Sequence, residues 1–481
     1  MKDKLYSLPS TDLLPGYGES VVQVSRQELD SLKETIESVM AENGLAPDHI
    51  EAVCGPVVSL FKIYPKPNQR ASVLRTFFDD FPYAFGGKRI RVYAEDGFIG
   101  LEVPNDTASF VPLRGLLESG EFRDSDAVLP VILGRSFGEA PAVIDLAGVS
   151  NILVAGATKQ GVYTAMDALM VSLLYSRRPE ELKFVLIDPR MVNLTRYEGL
   201  KGHHLAGTPG NPEGGIIRDP DTAADILDAL CAETDKRLAA LQKREITVGD
   251  DSTPRIVTVF DEFSDYFLMP DRKLADRIRN SVIKLAQLGR AAGIHLVLLT
   301  QRPSVEVISA IVKANFPARL AFHVPGRVDS RAIIDFEGAE RLLGKGDMLY
   351  QYGADIIRIQ GAFVSPDQAE KVARFFESQP HQEPYILPGV PKESPRRSSA
   401  DRLPDGFEDA ARLVCLTQNA STSFLQRRLG YGYAHATRVM DALEMEGLVG
   451  PMEGTRPREV LVSDMESLEA VLSRLKDDKK L

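Results

Sequence analysis

The sequence predicts an α/β protein: a parallel-sheet domain, preceded by a small α+β domain and followed by a compact helical module. Three observations predict it. Ile152-Leu153-Val154-Ala155, Phe184-Val185-Leu186-Ile187, Ile256-Val257-Thr258-Val259-Phe260 and Leu296-Val297-Leu298-Leu299 are short, continuous apolar runs with helical stretches between them. Strands covered on both faces read this way. Ahead of them the apolar pattern alternates, and behind them a proline-rich stretch introduces a second helical segment.

Residues 26–45 carry Leu29, Leu32, Ile36 and Met40 at helical spacing. Val53 to Tyr64 reads as one strand, and Arg89-Ile90-Arg91-Val92-Tyr93 and Ile99-Gly100-Leu101-Glu102-Val103 as two more. After the four parallel runs, Ala318 to Val324 and Ile356 to Ile359 are expected as edge strands. Residues 383–405 hold Pro384, Pro388, Pro391, Pro395 and Pro404, the composition of a stiff linker. The expected organisation is an extension over 1–24, a small α+β domain over 25–122, the parallel-sheet domain over 123–382, the linker over 383–405, a compact module over 406–465 and a charged tail over 466–481, which frays as a charged helix end from Arg474 to Leu481.

The chain has 481 residues and a formal net charge of −11. So acidic a chain does not advertise nucleic-acid binding, and any such contact must be a local patch. Cys54, Cys231 and Cys415 stand far apart without metal-ligand spacing, which argues against zinc and for a reducing, cytoplasmic compartment. The N-terminal residues show no apolar signal region, and no apolar run reaches the roughly 20 residues that span a bilayer.

The chemistry-bearing loop is Gly156-Ala157-Thr158-Lys159-Gln160-Gly161-Val162-Tyr163-Thr164, between an apolar strand and a helix carrying Ala165, Leu169, Leu173 and Leu174. Strand, glycine loop and helix start form the frame of a phosphate-binding loop. Gly156 and Gly161 match both glycines of G-x-x-x-x-G-K-[ST]. The next two positions do not: Val162 replaces the lysine and Tyr163 the serine or threonine. The lysine reaches the β- and γ-phosphates and the hydroxyl binds Mg²⁺. Valine supplies neither charge nor donor, and a phenol is a bulky substitute. Lys159 and Thr164 are the residues of the loop with the chemistry to stand in. An ordinary strand-helix turn is the plain alternative.

Downstream, Val257-Thr258-Val259-Phe260-Asp261-Glu262-Phe263 is an apolar strand ending in two acids. It precedes Gly289-Arg290-Ala291-Ala292-Gly293-Ile294-His295 and Thr300-Gln301-Arg302-Pro303-Ser304, then Lys313-Ala314-Asn315, Asp329-Ser330-Arg331 and Leu343-Gly344-Lys345-Gly346-Asp347-Met348-Leu349-Tyr350. In these strings the chain closely resembles the FtsK/SpoIIIE family of DNA translocases. Gly55-Pro56-Val57-Val58 and Gly100 to Asn105 resemble that family's α domain, and Leu186-Ile187-Asp188-Pro189-Arg190 its strand after the loop helix. The resemblance implies a RecA-like P-loop NTPase domain that uses ATP and Mg²⁺ on double-stranded DNA, as a homo-hexamer, in chromosome segregation and cell division. It implies that Gly156 to Tyr163 occupy the nucleotide loop, that Asp261 helps hold Mg²⁺ and Glu262 polarises the attacking water, and that Gln301 senses the γ-phosphate. Arg302, Arg319 and Arg331 are its candidate trans-acting arginines. Val162 and Tyr163 depart from the family pattern.

Leu413 to Leu416, Thr422 to Leu429 and Ala436 to Leu443 read as three helices. A strand from Gly447, a tip at Glu453 to Arg458 and a return over Glu459 to Val462 follow. This is a winged helix-turn-helix, the form of the family's γ domain. Its reading positions hold Ala434, His435, Thr437 and Arg438, where the resemblance expects Asn and Arg first. Arg427, Arg428, Arg456 and Arg458 are the candidate phosphate contacts. Residues 410–463 contain six arginines, no lysine and five acids, a thin basic balance. A fold kept for protein contacts is the alternative. The expectation is therefore a translocase-type chain whose ATP hydrolysis is weak or lost, as a hexamer, a monomer, or beside an active paralogue. An active motor with a deviant loop and a non-motor scaffold are the competing readings.

Overall fold

The computed structural model describes residues 6–16, 24–66, 80–95, 97–109, 111–138, 140–248, 253–380, 383–389, 403–450, 458–462 and 464–477. The chain divides into two units, Met1–Val390 and Pro391–Leu481.

The first unit opens on helix α1 (Arg26–Glu42). Ser25 caps it by accepting a hydrogen bond from the Glu28 amide at 3.1 Å. Leu32, Ile36, Val39 and Met40 form its buried stripe. It covers an antiparallel four-stranded sheet built from β1 (Pro47–Cys54), β2 (Val58–Pro65), β3 (Arg91–Glu95) and β4 (Phe98–Pro104), in the order β1-β2-β4-β3. The single strand expected over Val53 to Tyr64 is instead the end of one strand and the start of the next. Gly55 and Pro56 make the break: Pro56 has no amide to give the ladder, and a Cβ on Gly55 would lie 2.6 Å from the Val58 carbonyl oxygen.

The large sheet has ten strands: β5 (Pro130–Arg135), β6 (Pro141–Asp145), β7 (Ile152–Ala155), β8 (Leu182–Ile187), β9 (Ile216–Ile217), β10 (Arg255–Phe260), β11 (Ile294–Thr300), β12 (Ala318–Phe322), β13 (Asp347–Tyr352) and β14 (Asp355–Gly361). Their order is β6-β5-β14-β13-β12-β7-β11-β10-β8-β9. From β12 to β9 all neighbours are parallel, and from β12 to β6 all are antiparallel. The four apolar runs are thus parallel neighbours, as expected. Ala318 to Phe322 and Ile356 to Ile359 are not edge strands: β12 lies between β7 and β13, and β14 between β13 and β5. Helices α2 (Val162–Ser176), α3 (Pro220–Lys243), α4 (Arg272–Leu288) and α5 (Pro366–Phe375) belong to the two hydrophobic cores that cover this sheet.

Two segments expected to stand apart are built in. In the N-terminal extension, Tyr6 and Leu14 are buried in the core of the large sheet, and Tyr6 stacks on Phe376. In the proline-rich linker, residues 383–389 dock on the same unit. Leu387 is buried, its amide donates to the Gly207 carbonyl at 2.9 Å, and the Tyr385 hydroxyl donates to Glu233 Oε1 at 2.6 Å. Residues 390–402 of that linker lie outside the described residues.

The second unit holds α6 (Phe407–Thr417), α7 (Thr422–Leu429), α8 (Tyr433–Met445) and α9 (Met465–Asp477) around one core. The two arms of the expected hairpin meet at the antiparallel bridge Val449–Val460, and Ala420, ahead of α7, adds a bridge to Arg458. Its tip, residues 451–457, lies outside the described residues. The fold is of winged-helix type. The charged tail begins as a helix: Leu468, Leu472 and Leu475 recur at helical spacing and are buried against the other three helices, while residues 478–481 of the end expected to fray lie outside the described residues.

Candidate functional site

The carboxyl ends of β7, β11 and β10 lie side by side, and the crevice beyond such ends is where open α/β sheets bind ligands. The sequence-expected residues Gly156, Gln301, Asp261 and Glu262 leave those three ends. Gly156 packs so tightly that a Cβ there would stand 2.5 Å from Phe322 Cβ. Gly161 has φ of 127°, and a Cβ would meet Gly346 Cα at 2.8 Å. Only glycine fits either place. Gly161 then caps α2 without a side-chain bond. The amides of Val162, Tyr163 and Thr164, in the first turn, are the helix's orphan donors. They open on a cleft of about 410 Å³, also lined by Val111, Lys159, Gln301, Lys345 and Gln360.

Within the loop, the Ala157 amide donates to the His323 carbonyl and the Gln160 carbonyl accepts from the Gly346 amide, both at 2.9 Å. Thr158 and Lys159 are exposed, and Lys159 sits at φ of 63°. Val162 is buried at 2% exposure in the sheet core. Tyr163 is half-buried, and its hydroxyl faces Asp261, Glu262, Arg190 and Asn193. Burial, followed by the two carboxylates, pushes its pKa above the usual phenol value, so it stays neutral.

Asp261 and Glu262 are both fully buried. Asp261 Oδ2 accepts from Asn193 Nδ2 at 2.9 Å, while Oδ1 has no hydrogen-bond partner. Burial pushes the Asp261 carboxyl up to about 7; the Asn193 hydrogen bond opposes this, and the Asp188 and Glu262 carboxylates add to it. Glu262 sits at φ of 43°, a strained value for a side chain of its size. Its Oε1 accepts from Thr300 Oγ1 at 2.7 Å, Ser264 Oγ at 2.9 Å and the Gln301 amide at 3.0 Å. Its Oε2 lies 3.3 Å from Arg190 Nη1.

Arg190, Asn193 and Asp188 were not singled out as site residues from the sequence. Asp188 ends β8 and accepts from the amides of Arg190, Val192, Asn193 and Leu194, which fixes the loop carrying the other two. The available signal was Asp188-Pro189 at the end of a strand adjacent to β10.

The candidate arginines separate. Arg302 is two-thirds exposed, with a loose 3.8 Å pair to Asp265. Arg331 is similarly exposed and pairs with Glu337. Arg319 is a structural residue: 11% exposed, it donates to the Phe316 and Lys313 carbonyls and pairs with Asp335 at 2.6 Å. It is not available to a neighbouring molecule. In the second unit, Arg427 and Arg428 end α7 exposed, and Arg438 is exposed on α8. Thr437 is half-buried. His435 turns back on its own unit, with Nε2 3.0 Å from the Asp405 carbonyl and its ring edge-on to Tyr431. Arg458 is also committed internally: 9% exposed, it bonds Glu444 at 2.5 Å, Asp441 at 2.7 Å and the Met440 carbonyl. Arg456 lies outside the described residues.

A polyphosphate fits the amide cradle at Gly161 to Thr164, with Lys159 and Lys345 beside it. A divalent metal does not fit: the hydroxyl ligand is replaced by a neutral phenol ring, and Glu262 faces a guanidinium.

Comparison with known proteins agrees with this architecture. Residues 112–252 and 248–305 match the FtsK/SpoIIIE family, residues 8–105 the FtsK alpha domain and residues 401–463 the FtsK gamma domain. The chain is 37% identical to the DNA translocase FtsK of Chlorobaculum tepidum over 98% of its length and 61% of that protein. It is 35% identical to the DNA translocase SpoIIIE of Bacillus subtilis over 96% of its length and 60% of that protein. It is 34% identical to the DNA translocase FtsK of Haemophilus influenzae over 94% of its length and 92% of that protein. The chain therefore spans about three fifths of the first two relatives and nearly all of the third. It belongs to the FtsK/SpoIIIE family.

Proposed function

We propose that this chain is a translocase-type motor subunit whose ATP hydrolysis is lost or weak, and that it engages double-stranded DNA through its C-terminal unit. One observation carries the reading. The two positions that supply charge and a metal-binding hydroxyl in a working loop hold a core valine and a phenol turned toward the acidic pair. Phosphoryl transfer depends on electrostatic stabilisation of the transferring group, and losing a single such donor costs on the order of 10²–10³ in rate. Lys159 is exposed beside the loop, but it does not start from the helix turn where the missing lysine would stand.

The amide cradle still supports nucleotide binding, so the chain is proposed to take ATP as a ligand. For DNA, Arg427, Arg428 and Arg438 are the exposed cations of the expected set, and they are the proposed phosphate contacts. A ring of like subunits, or of this chain with an active paralogue, is the proposed assembly in the cytoplasm. Among the described residues no helix is long and apolar enough to cross a membrane.

The test is ATP turnover with and without duplex DNA. The expected result is no turnover above that of Asp261→Ala and Glu262→Ala variants. Turnover abolished by either change would refute the reading and favour an active motor. The Val162→Lys, Tyr163→Ser double variant should gain nucleotide affinity at least tenfold.

A further inference from the structure

The acidic end of the cleft already contains a cation of its own. Arg190 donates Nε to Asp265 Oδ2 at 2.9 Å and Nη2 to Asp265 Oδ1 at 3.2 Å, a two-pronged grip. Its remaining nitrogen, Nη1, lies 3.3 Å from Glu262 Oε2. The guanidinium thus bridges two carboxylates from the solvent side, with Glu262 buried beneath it. The loop that presents it does not depend on a ligand: four amides converging on Asp188 set its shape.

The remaining oxygens of the pair are nearly all taken. Glu262 Oε1 has three donors, and Asp261 Oδ2 has Asn193. Glu262 Oε2 has the Arg190 charge at 3.3 Å but no hydrogen bond, and Asp261 Oδ1 has neither. A hard divalent cation needs about six oxygens in near-octahedral array, of which the protein usually gives one or two beside waters and phosphates. Here Tyr163, in the first turn of the helix, brings a neutral phenol up to both carboxylates. Among the described residues no group of three or more His, Cys, Asp or Glu side chains is arranged to hold a metal ion.

We propose that Arg190 is the resident counter-cation of this acidic pair and that, with Tyr163 as its cover, it closes the site to divalent metal. The proposal rests on the reading of lost hydrolysis and deepens it, giving a cause beyond the missing lysine. The acidic pair keeps its arrangement because an arginine, fixed in charge and geometry, does for the fold what a metal does in a working site.

The test is Mn²⁺ binding to the full chain without nucleotide, read by electron paramagnetic resonance of free Mn²⁺ and by the shift in thermal unfolding. Wild type should bind no more Mn²⁺ than Asp261→Asn does. Arg190→Gln combined with Tyr163→Ser should gain a site at least tenfold tighter than any in wild type, and adding Asp261→Asn should abolish it. Arg190→Lys and Tyr163→Phe, which keep the charge and the ring, should remain without metal. Mn²⁺ binding in wild type that Asp261→Asn removes would overturn the proposal, as would a folded double variant with no gain. If that double variant does not fold, Arg190→Ala combined with Tyr163→Ala decides by the same gain or its absence. Mn²⁺ binding by wild type without ATP turnover would sink this proposal and leave the reading of lost hydrolysis standing. Turnover itself would sink that reading.

Discussion

Arg358→Met should destabilise the first unit through one buried ionic cluster. Arg358 on β14 is 1% exposed. It donates Nε and Nη2 to Asp347 at 2.9 and 2.6 Å, and Nη1 to Glu102 at 2.7 Å. Glu102 lies on β4 of the small sheet and is held on its other side by Arg91 at 2.7 Å. Two cations and two anions therefore balance, and the cluster joins the four-stranded sheet to the ten-stranded one. Methionine fills the space but leaves Asp347 buried beside only the Leu343 amide at 2.7 Å. Breaking one side of a buried pair costs about 3–5 kcal/mol, because the remaining charge stays desolvated. For a unit of about 390 residues the unfolding entropy is about 0.8 kcal/mol/K, so the midpoint should fall by about 4–6 °C. Calorimetry on the full chain measures it. Glu102→Gln in the same chain should recover part of the loss, with a coupling of roughly 1–3 kcal/mol. A fall below about 1 °C, or strict additivity of the two changes, would refute the claim that these charges are held as one cluster. Asp347 also follows Gly346, whose amide binds the Gln160 carbonyl of the phosphate loop, so nucleotide affinity of Arg358→Met should be measured beside its stability.

Acid should weaken the first unit through a buried histidine. His295 has Nδ1 2.9 Å from the Ser150 carbonyl, and burial pushes its pKa down to about 4. The unfolded chain takes up a proton near pH 6.5 that the native state refuses until about pH 4. The histidine's contribution is thus lost as pH falls through that window, about 3 kcal/mol, while Asp261, raised to about 7, contributes in the opposite direction. His295→Gln should flatten this slope in unfolding measured between pH 7 and 4.5. Leu472→Ala on the fully buried side of α9 should cost roughly 2–5 kcal/mol in the unfolding of the second unit, whereas a fraying tail would show no loss. Arg458→Ala should lower the stability of that unit by roughly 1–2 kcal/mol and leave the salt dependence of duplex binding unchanged. Reversing the charge of Arg427 and Arg428 should instead reduce that salt slope by about 2 in a binding titration.

The parts legible in the sequence were those where one physical demand dominates. A strand buried on both faces must be apolar throughout, so the runs at 152–155, 184–187, 256–260 and 296–299 announced four parallel neighbours. That same demand hid the position of β12: a run of five residues reads alike whether its second neighbour is β13 or solvent, and β14 is taken off the edge by its pairing with β5, which is distant in sequence. At α9 the charges of Arg474, Lys476, Asp477 and Asp478 mark the tail's end, and the apolar spacing of Leu468, Leu472 and Leu475 is what docks the helix before it. The arginines show the limit most clearly. Arg319, Arg331, Arg427 and Arg458 carry the same group, and the difference lies in what surrounds it. Asp335 and three carbonyls enclose Arg319, and Asp441 and Glu444, one turn apart on α8, claim Arg458. An isolated arginine in a sequence does not disclose its carboxylate. For the same reason Arg190 was passed over, while Val162 and Tyr163 stood out against a fixed spacing. Spacing marks where a site has changed. What now fills it depends on which side chains the sheet order brings beside β10, and Arg190 and Asn193 arrive there because β8, the strand that follows the loop helix in sequence, lies beside β10 on the side away from β11.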